Sequence, residues 1–203
     1  MALTLEDVKA LTFDTGGTIL DWHTGFSNAL AKAGAKHGLD RDWAGLANEL
    51  RRRSLGLTIN MGEHTPPEHN HDDSHRMALD EIIAENGLEA FTSDDRRSIW
   101  WDAPHSLEVW PDFPAVLPKL REGYICASFT ILSYRMIIDT AKKNGLGWDA
   151  VLSCEGIGKY KPCLRHIKQS PSSSGWNRTS AAWWLAITLT WMRPRGPGSR
   201  PHS

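Results

Sequence analysis

The stretch Val8-Lys-Ala-Leu-Thr-Phe-Asp-Thr-Gly-Gly-Thr18 decides the fold class. Its first half is a short apolar run with β-branched and aromatic residues, which predicts a buried strand. The run ends at Asp14, and the following Thr-Gly-Gly predicts a tight loop whose backbone N–H groups face the carboxylate and an incoming anion. Open α/β sheets bind ligands at the carboxyl ends of their strands, so Asp14 is a candidate covalent nucleophile. From this motif alone, an aspartate that only caps a loop remains the alternative.

Further along the chain, predicted strands and helices alternate again after a purely helical block. The second and third buried strands are predicted at residues 124–130 and 148–153, with a helix over 134–144 between them. The earlier helices are predicted over 24–37, 44–57 and 74–86 and from Thr92 towards Trp101, and the polar, His- and Pro-rich residues 60–75 are predicted to be a loop. This order predicts an α/β fold: a doubly wound, Rossmann-like parallel sheet with a helical insertion after its first strand.

Composition excludes several classes of protein. The chain has 203 residues, 40% of them hydrophobic, and a net charge of −1, which gives no electrostatic case for nucleic acid or an anionic membrane. The three cysteines show no paired spacing, and no leader or membrane-spanning stretch is visible. We therefore expect a cytoplasmic protein with a small-molecule partner and no nucleic acid or membrane partner; a homodimer is compatible with the sequence.

Composition also changes abruptly after Pro162. Residues 1–162 contain all 24 acidic residues and 17 of the 23 basic ones, whereas residues 163–203 contain no acidic residue and four of the ten tryptophans. The latter segment shows neither a helical nor a strand period. One compact fold should not change composition in this way, so we expect residues 163–203 to be an aberrant, disordered tail.

Three motifs, in order, resemble those of the haloacid dehalogenase superfamily. Phe13–Trp22 resembles the first motif, and Ile125–Thr130 resembles the second, a strand ending in Ser or Thr. Asp149–Glu155, followed by Lys159-Tyr-Lys-Pro162, resembles the third. The resemblance covers residues 1–162.

The resemblance implies a division of the chain into two domains. Residues 1–22 and 109–162 would form the incomplete α/β core, because the helical block at 23–108 matches the cap subdomain of this superfamily in place and size. The superfamily also has a fourth motif, a strand ending in acidic residues. Residues 163–203 cannot supply that motif, because they contain no Asp or Glu.

The resemblance also implies catalytic roles. Asp14 would be the nucleophile, and Thr130 would hydrogen-bond a substrate or nucleophile oxygen, with Ser133 as the alternative to Thr130. Lys161 would hold the Asp14 carboxylate and neutralise charge near it; a solvated loop lysine is the alternative.

Gly16 favours one branch of the superfamily. Phosphatases of the superfamily have a second aspartate at this position, which is the general acid and whose backbone carbonyl helps to hold magnesium. A phosphate ester needs such an acid for its leaving group, whereas a halide leaves without a proton. The sequence therefore looks most like the type II 2-haloacid dehalogenases, which implies hydrolysis of a small 2-haloacid through an aspartyl ester without a cofactor. A magnesium-dependent phosphatase-type hydrolase and a non-catalytic remnant are the alternatives.

The expected substrate site combines the loop with a residue of the helical block. These dehalogenases commonly have Tyr where Gly16 stands and Asn where Ile131 stands, and a cap arginine binds the substrate carboxylate. Arg51 is the best match, with Arg52 and Arg53 as surface charges or substitutes. Thr15, Gly16, Arg51 and Ile131 are the predicted substrate-binding residues.

A histidine-rich cluster in the helical block could suggest a metal site. The spacing is not that of a structural zinc site, so we predict a solvated loop and no metal. The cluster comprises His64, His69, Asp72, Asp73 and the histidines His71 and His75.

A frameshift would explain the change after Pro162. When the reading frame is shifted by one base, codon degeneracy allows Cys163–Ile167 to read Pro-Glu-Thr-Tyr-Gln, as this subgroup continues after its lysine. In the same frame, residues 182–193 can read Met-Val-Ala-Cys-His-Asn-Phe-Asp-Leu-Asp-Ala-Ala, which resembles the fourth motif. Our hypothesis is that one base was lost near the Pro162 codon, in the gene or in its sequencing, and the chain as written is then expected to have little or no activity. A divergent tail is the alternative, and sequencing the gene across codons 158–185 distinguishes the two.

Overall fold

The computed structural model describes residues 8–59, 69–157 and 160. Three parallel strands form one sheet in the order β1-β2-β3, and helices connect them. The strands are β1 (Ala10–Phe13), β2 (Ile125–Thr130) and β3 (Ala150–Ser153). The helices are α1 (Trp22–Lys36), α2 (Trp43–Ile59), α3 (His71–Asn86), α4 (Ser93–Arg97), α5 (Ala103–His105), α6 (Phe113–Arg121), α7 (Tyr134–Asn144) and α8 (Cys154–Ile157), with a π-helical turn at Ser98–Asp102. The predicted α/β class with a parallel sheet is confirmed.

The register of the sheet brings the three predicted motifs to one edge. Phe13 pairs with Ser128 and Thr130 pairs with Ser153, so the strands end at similar heights. Because the strands are parallel, their carboxyl ends meet at the same edge of the sheet. Continuing the pairing by two residues places Thr15 opposite Thr130.

A small apolar core lies beside the sheet. Its buried side chains are Ile19, Leu117, Cys126, Ala141 and Leu146. Helix α7 contributes Ala141 to this core, and both ends of the helix are capped. Ser133 Oγ accepts a hydrogen bond from Met136 N at the amino end, and Gly145 adopts the left-handed conformation, with φ 65°, after the last turn.

The predicted helical block, which extends over residues 22–105 in the structure, encloses a larger core of its own. Its residues come from α1, α2 and α3 and from the segment that follows: Phe26, Leu30, Ala33, Ala47, Leu50, Ala78, Leu79, Ile82, Ile83, Leu88, Phe91 and Ile99. The chain enters and leaves the helical block through two segments that pair antiparallel at Leu20 and Val109. A third group of buried residues, Leu20, Leu107, Leu132 and Met136, joins the helical block to the sheet region.

Helix α3 begins earlier than predicted. It starts at His71, so the prediction of a loop is wrong for residues 71–75, and residues 60–68 lie outside the described part. The reason is a capping box. The Asn70 side chain accepts hydrogen bonds from the backbone N–H groups of Asp72 and Asp73, and Asp73 accepts one from the Asn70 N–H. The predicted domain division and the predicted state of residues 163–203 stay predictions.

None of the helices in the described ranges is both long enough and apolar enough to cross a membrane.

Candidate active site

The carboxyl ends of β1 and β2 meet through a pair of buried threonines. The Thr15 hydroxyl donates to Thr130 Oγ1 at 2.7 Å, and the Leu132 N–H donates to the same oxygen at 3.1 Å. Thr15 and Thr130 are both fully buried. Thr130 Oγ1 accepts both of these hydrogen bonds, so its own proton remains to be donated to another oxygen.

The loop after β1 holds the Asp14 carboxylate by short-range contacts. The Thr18 hydroxyl donates to Asp14 Oδ2 at 2.9 Å. The backbone N–H groups of Ile19 and Leu20 both donate to the Thr15 carbonyl, at 3.1 and 3.0 Å, which closes a tight turn. Gly17 makes this turn possible because its φ is +101°, a value that side chains strongly disfavour.

Arg51 reaches this loop from helix α2. Its Nη2 donates to the Gly16 carbonyl at 3.1 Å, and its Cζ lies 5.5 Å from the centre of the Trp22 ring. Burial lowers the pKa of the Arg51 guanidinium to about 10, and the charge of Asp14 opposes that lowering. Arg51 is therefore a partly buried cation at neutral pH, close to the loop of the predicted nucleophile.

The two neighbouring arginines point elsewhere. Arg52 pairs with Glu49, and Arg53 pairs with Glu49, Glu81 and Glu85 on the outside of α2 and α3. Successive residues of a helix point about 100° apart, so three consecutive arginines cannot share one direction. The structure brings Arg51, and neither of the other two, to the Asp14 loop.

Gly16 leaves the space that Arg51 occupies. A Cβ at position 16 would lie 2.8 Å from Arg51 Nη2, which is closer than real Cβ contacts come. A larger residue at position 16 would therefore displace the guanidinium from the Gly16 carbonyl.

The remaining predicted site residues lie in different surroundings. Ile131 is partly buried and packs against the group that joins the helical block to the sheet region. Ser133, the alternative to Thr130, caps helix α7 with its side chain. Lys161 lies outside the described residues. The structure thus brings together Asp14, Thr15, Gly16, Arg51 and Thr130.

Comparison with solved structures identifies the architecture. A defluorinating L-2-haloacid dehalogenase superposes with a TM-score of 0.68 at 28% identity, covering 81% of this chain and 70% of that one. The L-2-haloacid dehalogenase from Xanthobacter autotrophicus gives 0.61 at 22% identity, covering 81% and 67%. Another L-2-haloacid dehalogenase gives 0.67 at 20% identity and covers 96% of this chain and 92% of its own.

The chain has the fold of the haloacid dehalogenase superfamily. No protein-family model and no curated protein matches the sequence. The solved structures confirm the predicted resemblance to the superfamily. The 28% sequence identity to a haloacid dehalogenase supports a hydrolase.

The histidine-rich segment of this haloacid dehalogenase fold contradicts the predicted solvated loop. His71 and His75 lie on helix α3 and are buried, as is Asp72 between them. Their ring centres are 4.4 Å apart, and burial is the main cause of the lowered pKa of both histidines. Histidine counts as polar in a hydrophobicity pattern, so the pattern predicts a solvated segment. The signal that could have corrected this is Asn70 followed by Asp73, a capping box before an apolar helix.

A third buried histidine, His105, links the helical block to helix α7. His105 Nδ1 lies 2.9 Å from Asp139 Oδ2, and His105 Nε2 lies 3.4 Å from Asp72 Oδ1 in a poorly aligned contact. Burial lowers the pKa of His105, but the two carboxylates outweigh burial and raise the pKa above its usual value. This histidine therefore carries a proton more readily than His71 or His75.

Metal ligation finds little support in the described ranges. There, no three side chains of His, Cys, Asp or Glu lie together as ligands of one ion would. Gly16 supplies no second carboxylate beside Asp14 that could ligate a metal.

Proposed function

We propose that the site hydrolyses a small 2-haloacid through a covalent ester on Asp14. A carboxylate oxygen of Asp14 attacks the carbon that bears the halogen, the carbon–halogen bond breaks, and the halide leaves with its electron pair. Water then attacks the ester carbonyl, which restores the Asp14 carboxylate and releases a 2-hydroxyacid and one proton.

The observation that carries this proposal is the partly buried Arg51 cation beside the Asp14 loop. Arg51 lies against Gly16 and Trp22, and a guanidinium binds a carboxylate through two parallel N–H groups. A 2-haloacid has a carboxylate next to the carbon that must react. Binding of the substrate carboxylate by Arg51 would therefore place the halogen-bearing carbon near Asp14.

The absence of a second carboxylate at position 16 supports the same reaction. A phosphate ester needs a proton on its leaving oxygen, and Gly16 has no side chain to deliver one. A halide needs no such proton. One structure of the X. autotrophicus enzyme, 19% identical to this chain, contains covalently bound chloropropionic acid, so a solved example of this fold forms a covalent adduct with a 2-haloacid.

The reading-frame hypothesis belongs to this proposal. We propose that the segment after Pro162 is translated out of frame and that the in-frame segment supplies the fourth motif, with its acidic residues. The 203-residue chain is then expected to show little turnover, and a gene with the base restored is expected to be active.

The test measures the release of halide and of phosphate by the 203-residue chain and by the frame-restored protein. Halide release from L- and D-2-chloropropionate is compared with phosphate release from p-nitrophenyl phosphate, with and without magnesium chloride. We expect halide release without magnesium from the frame-restored protein and its loss in Asp14→Asn. Asp21→Asn, which changes the cap of helix α1, is the matched control and should keep the activity. Magnesium-dependent phosphate release without halide release would contradict the proposal.

A single-turnover reaction in H₂¹⁸O tests the ester directly. Water attacks the carbonyl of Asp14, so ¹⁸O should enter the peptide that contains Asp14 and should be found there by mass spectrometry. Label in the 2-hydroxyacid alone would indicate direct attack of water on the substrate, and the ester mechanism would then be wrong.

A further inference from the structure

Arg51 is held from two sides, and the side opposite Gly16 is a histidine. Arg51 Nη2 donates to the Gly16 carbonyl, whereas Arg51 Nη1 lies 3.4 Å from His71 Nε2. The other ring nitrogen, His71 Nδ1, lies 2.7 Å from Thr58 Oγ1. Thr58 and His71 are both fully buried, so their contact is shielded from water, and the contact between His71 and Arg51 is partly buried.

The hydrogen bonds of Thr58 determine which ring nitrogen of His71 carries the proton. Thr58 Oγ1 donates its single proton to the Ser54 carbonyl, one turn earlier in α2, at 2.8 Å. In its contact with His71, Thr58 must therefore accept, and His71 Nδ1 must be the N–H donor. That leaves a lone pair on His71 Nε2, which faces the N–H groups of Arg51.

The charge of His71 agrees with this arrangement. Burial lowers its pKa well below the usual value, and the charges of His75 and Arg51 lower it further. A neutral ring can accept from a guanidinium, whereas a protonated ring would present an N–H to it. His75, one turn along α3, is also buried, but neither of its ring nitrogens has a hydrogen-bond partner among the described residues.

We propose that His71, fixed by Thr58, is a positioning residue that orients the Arg51 guanidinium towards the Asp14 loop. Without the acceptor at His71 Nε2, the guanidinium would keep its contacts with Gly16 and Trp22 but lose the one that fixes its rotation. This inference rests on the proposed role of Arg51 in binding the substrate carboxylate. The proposal also gives a further reason why position 16 has no side chain. A side chain there would occupy the place into which His71 directs Arg51.

The first experiment determines which ring nitrogen of His71 carries the proton in the full chain. Long-range ¹H–¹⁵N spectra distinguish the two neutral tautomers of histidine, and His71→Gln identifies the signals of His71. We expect a neutral ring at pH 7 with the proton on Nδ1. Thr58→Val, which removes the acceptor, should shift the signals towards a mixture of tautomers. A proton on Nε2 in the unmodified chain, or a charged ring, would overturn the proposal.

The second experiment measures the binding of propionate, a carboxylate without a halogen, by calorimetry. Arg51→Lys tests the proposed function, because it keeps the charge but loses the paired N–H groups. His71→Leu tests the positioning and should weaken binding about tenfold, the effect of one hydrogen bond to a charged group. His71→Gln, whose amide oxygen can accept from Arg51, should recover part of the loss.

His75→Leu is the matched control. It removes an equally buried histidine from the same helix, so its effect on the melting temperature should resemble that of His71→Leu while its affinity for propionate stays unchanged. Equal losses of affinity in His71→Leu and His75→Leu would overturn the positioning role but leave the proposed function standing. Unchanged affinity in Arg51→Lys, or no binding by the parent chain, would contradict the proposed function. The tautomer measurement would still decide the proposal for His71.

Discussion

In the helical block Leu50, Leu79 and Ile82 are completely buried, whereas in the sheet only the central strand β2 is mostly buried. Strand β1 has one exposed and three partly buried residues, and the first three residues of β3 are partly buried as well. Both strands lie at an edge of the sheet formed by the described residues. The proposed site draws Arg51 from the well-packed region and Asp14 from the less covered one.

The Asp14 side of the proposed site is less stable than the Arg51 side. The helical block closes its own core and should hold Arg51 and His71 whether or not the sheet is complete. The Asp14 loop depends on β1, whose outer side has no partner strand among the described residues. Unpaired strand edges and exposed apolar faces cost stability, so the nucleophile is on the weaker side of the site.

Restoring the reading frame should produce the largest change. Loss of a carboxylate that orients a reacting group costs on the order of 10⁴-fold in rate, so halide release should rise by about that factor in the frame-restored protein. The change should be confined to the sheet region. Hydrogen exchange should slow in β1 and stay nearly the same in α2 and α3. Equal slowing in both regions would mean that the helical block is not independent.

The architecture could be predicted because local signals agree with one another. Helix α7 has the predicted bounds, since Ser133 caps its start and Gly145 ends it. The strand before Asp14 was recognisable from its apolar run and the following glycines. These signals are local in sequence and need no knowledge of packing.

The arrangement of the site depends on contacts that are distant in sequence. The Thr15–Thr130 hydrogen bond joins residues 115 positions apart and follows only from the register of β1 and β2. The choice among Arg51, Arg52 and Arg53 depends on the rotation of α2 against the loop. The burial of His71 and His75 could not be read from their polarity, because it follows from the packing of α3 on α2.

Truncation of a buried side chain in each region measures the contrast in stability. Leu50→Ala removes a fully buried side chain of the helical block and should lower the free energy of unfolding by about 2–5 kcal/mol. Leu117→Ala, in the core beside the sheet, should cost less because that core is smaller and can relax more easily. Val116→Ala, an exposed neighbour, is the control and should change little. Urea unfolding followed by circular dichroism gives the comparison, and a larger loss in Leu117→Ala would reverse it.

The buried histidines should make the helical block sensitive to acid. The pKa of His75 is lowered to about 3, mainly by burial, so between pH 6.5 and pH 3 the unfolded chain binds a proton that the folded chain does not. Stability should therefore fall as the pH falls through this window, by about 1.4 kcal/mol per pH unit for each such histidine. His75→Leu should flatten this slope in urea titrations at pH 7, 6 and 5.

His105 should have the opposite effect on the pH dependence of stability. It is therefore the control for the slope attributed to His75. Its pKa is raised because Asp72 and Asp139 outweigh the opposing effect of burial. Its contribution to stability is therefore complete below its unfolded pKa of about 6.5 and is lost as the pH rises through the folded value. His105→Gln should lower stability more at pH 5 than at pH 8. A uniform loss at both pH values would show that the ring contributes by packing alone.

The smallest expected effect comes from a contact that joins the two regions. The Asn70 amide group donates to Glu155 Oε1 at 3.0 Å, while its carbonyl oxygen caps helix α3. Asn70→Asp keeps an oxygen for the cap but replaces the donor with a charge that faces Glu155. We expect a loss of about 1 kcal/mol, of which Glu155→Gln in the same chain should return a part because it removes the repulsion. Asn70→Ala should cost a similar amount through the lost cap, but Glu155→Gln should not offset that loss. If Glu155→Gln improves both variants equally, the contact does not couple the helical block to the sheet, and the two regions are joined only by their apolar contacts around Leu20 and Leu132.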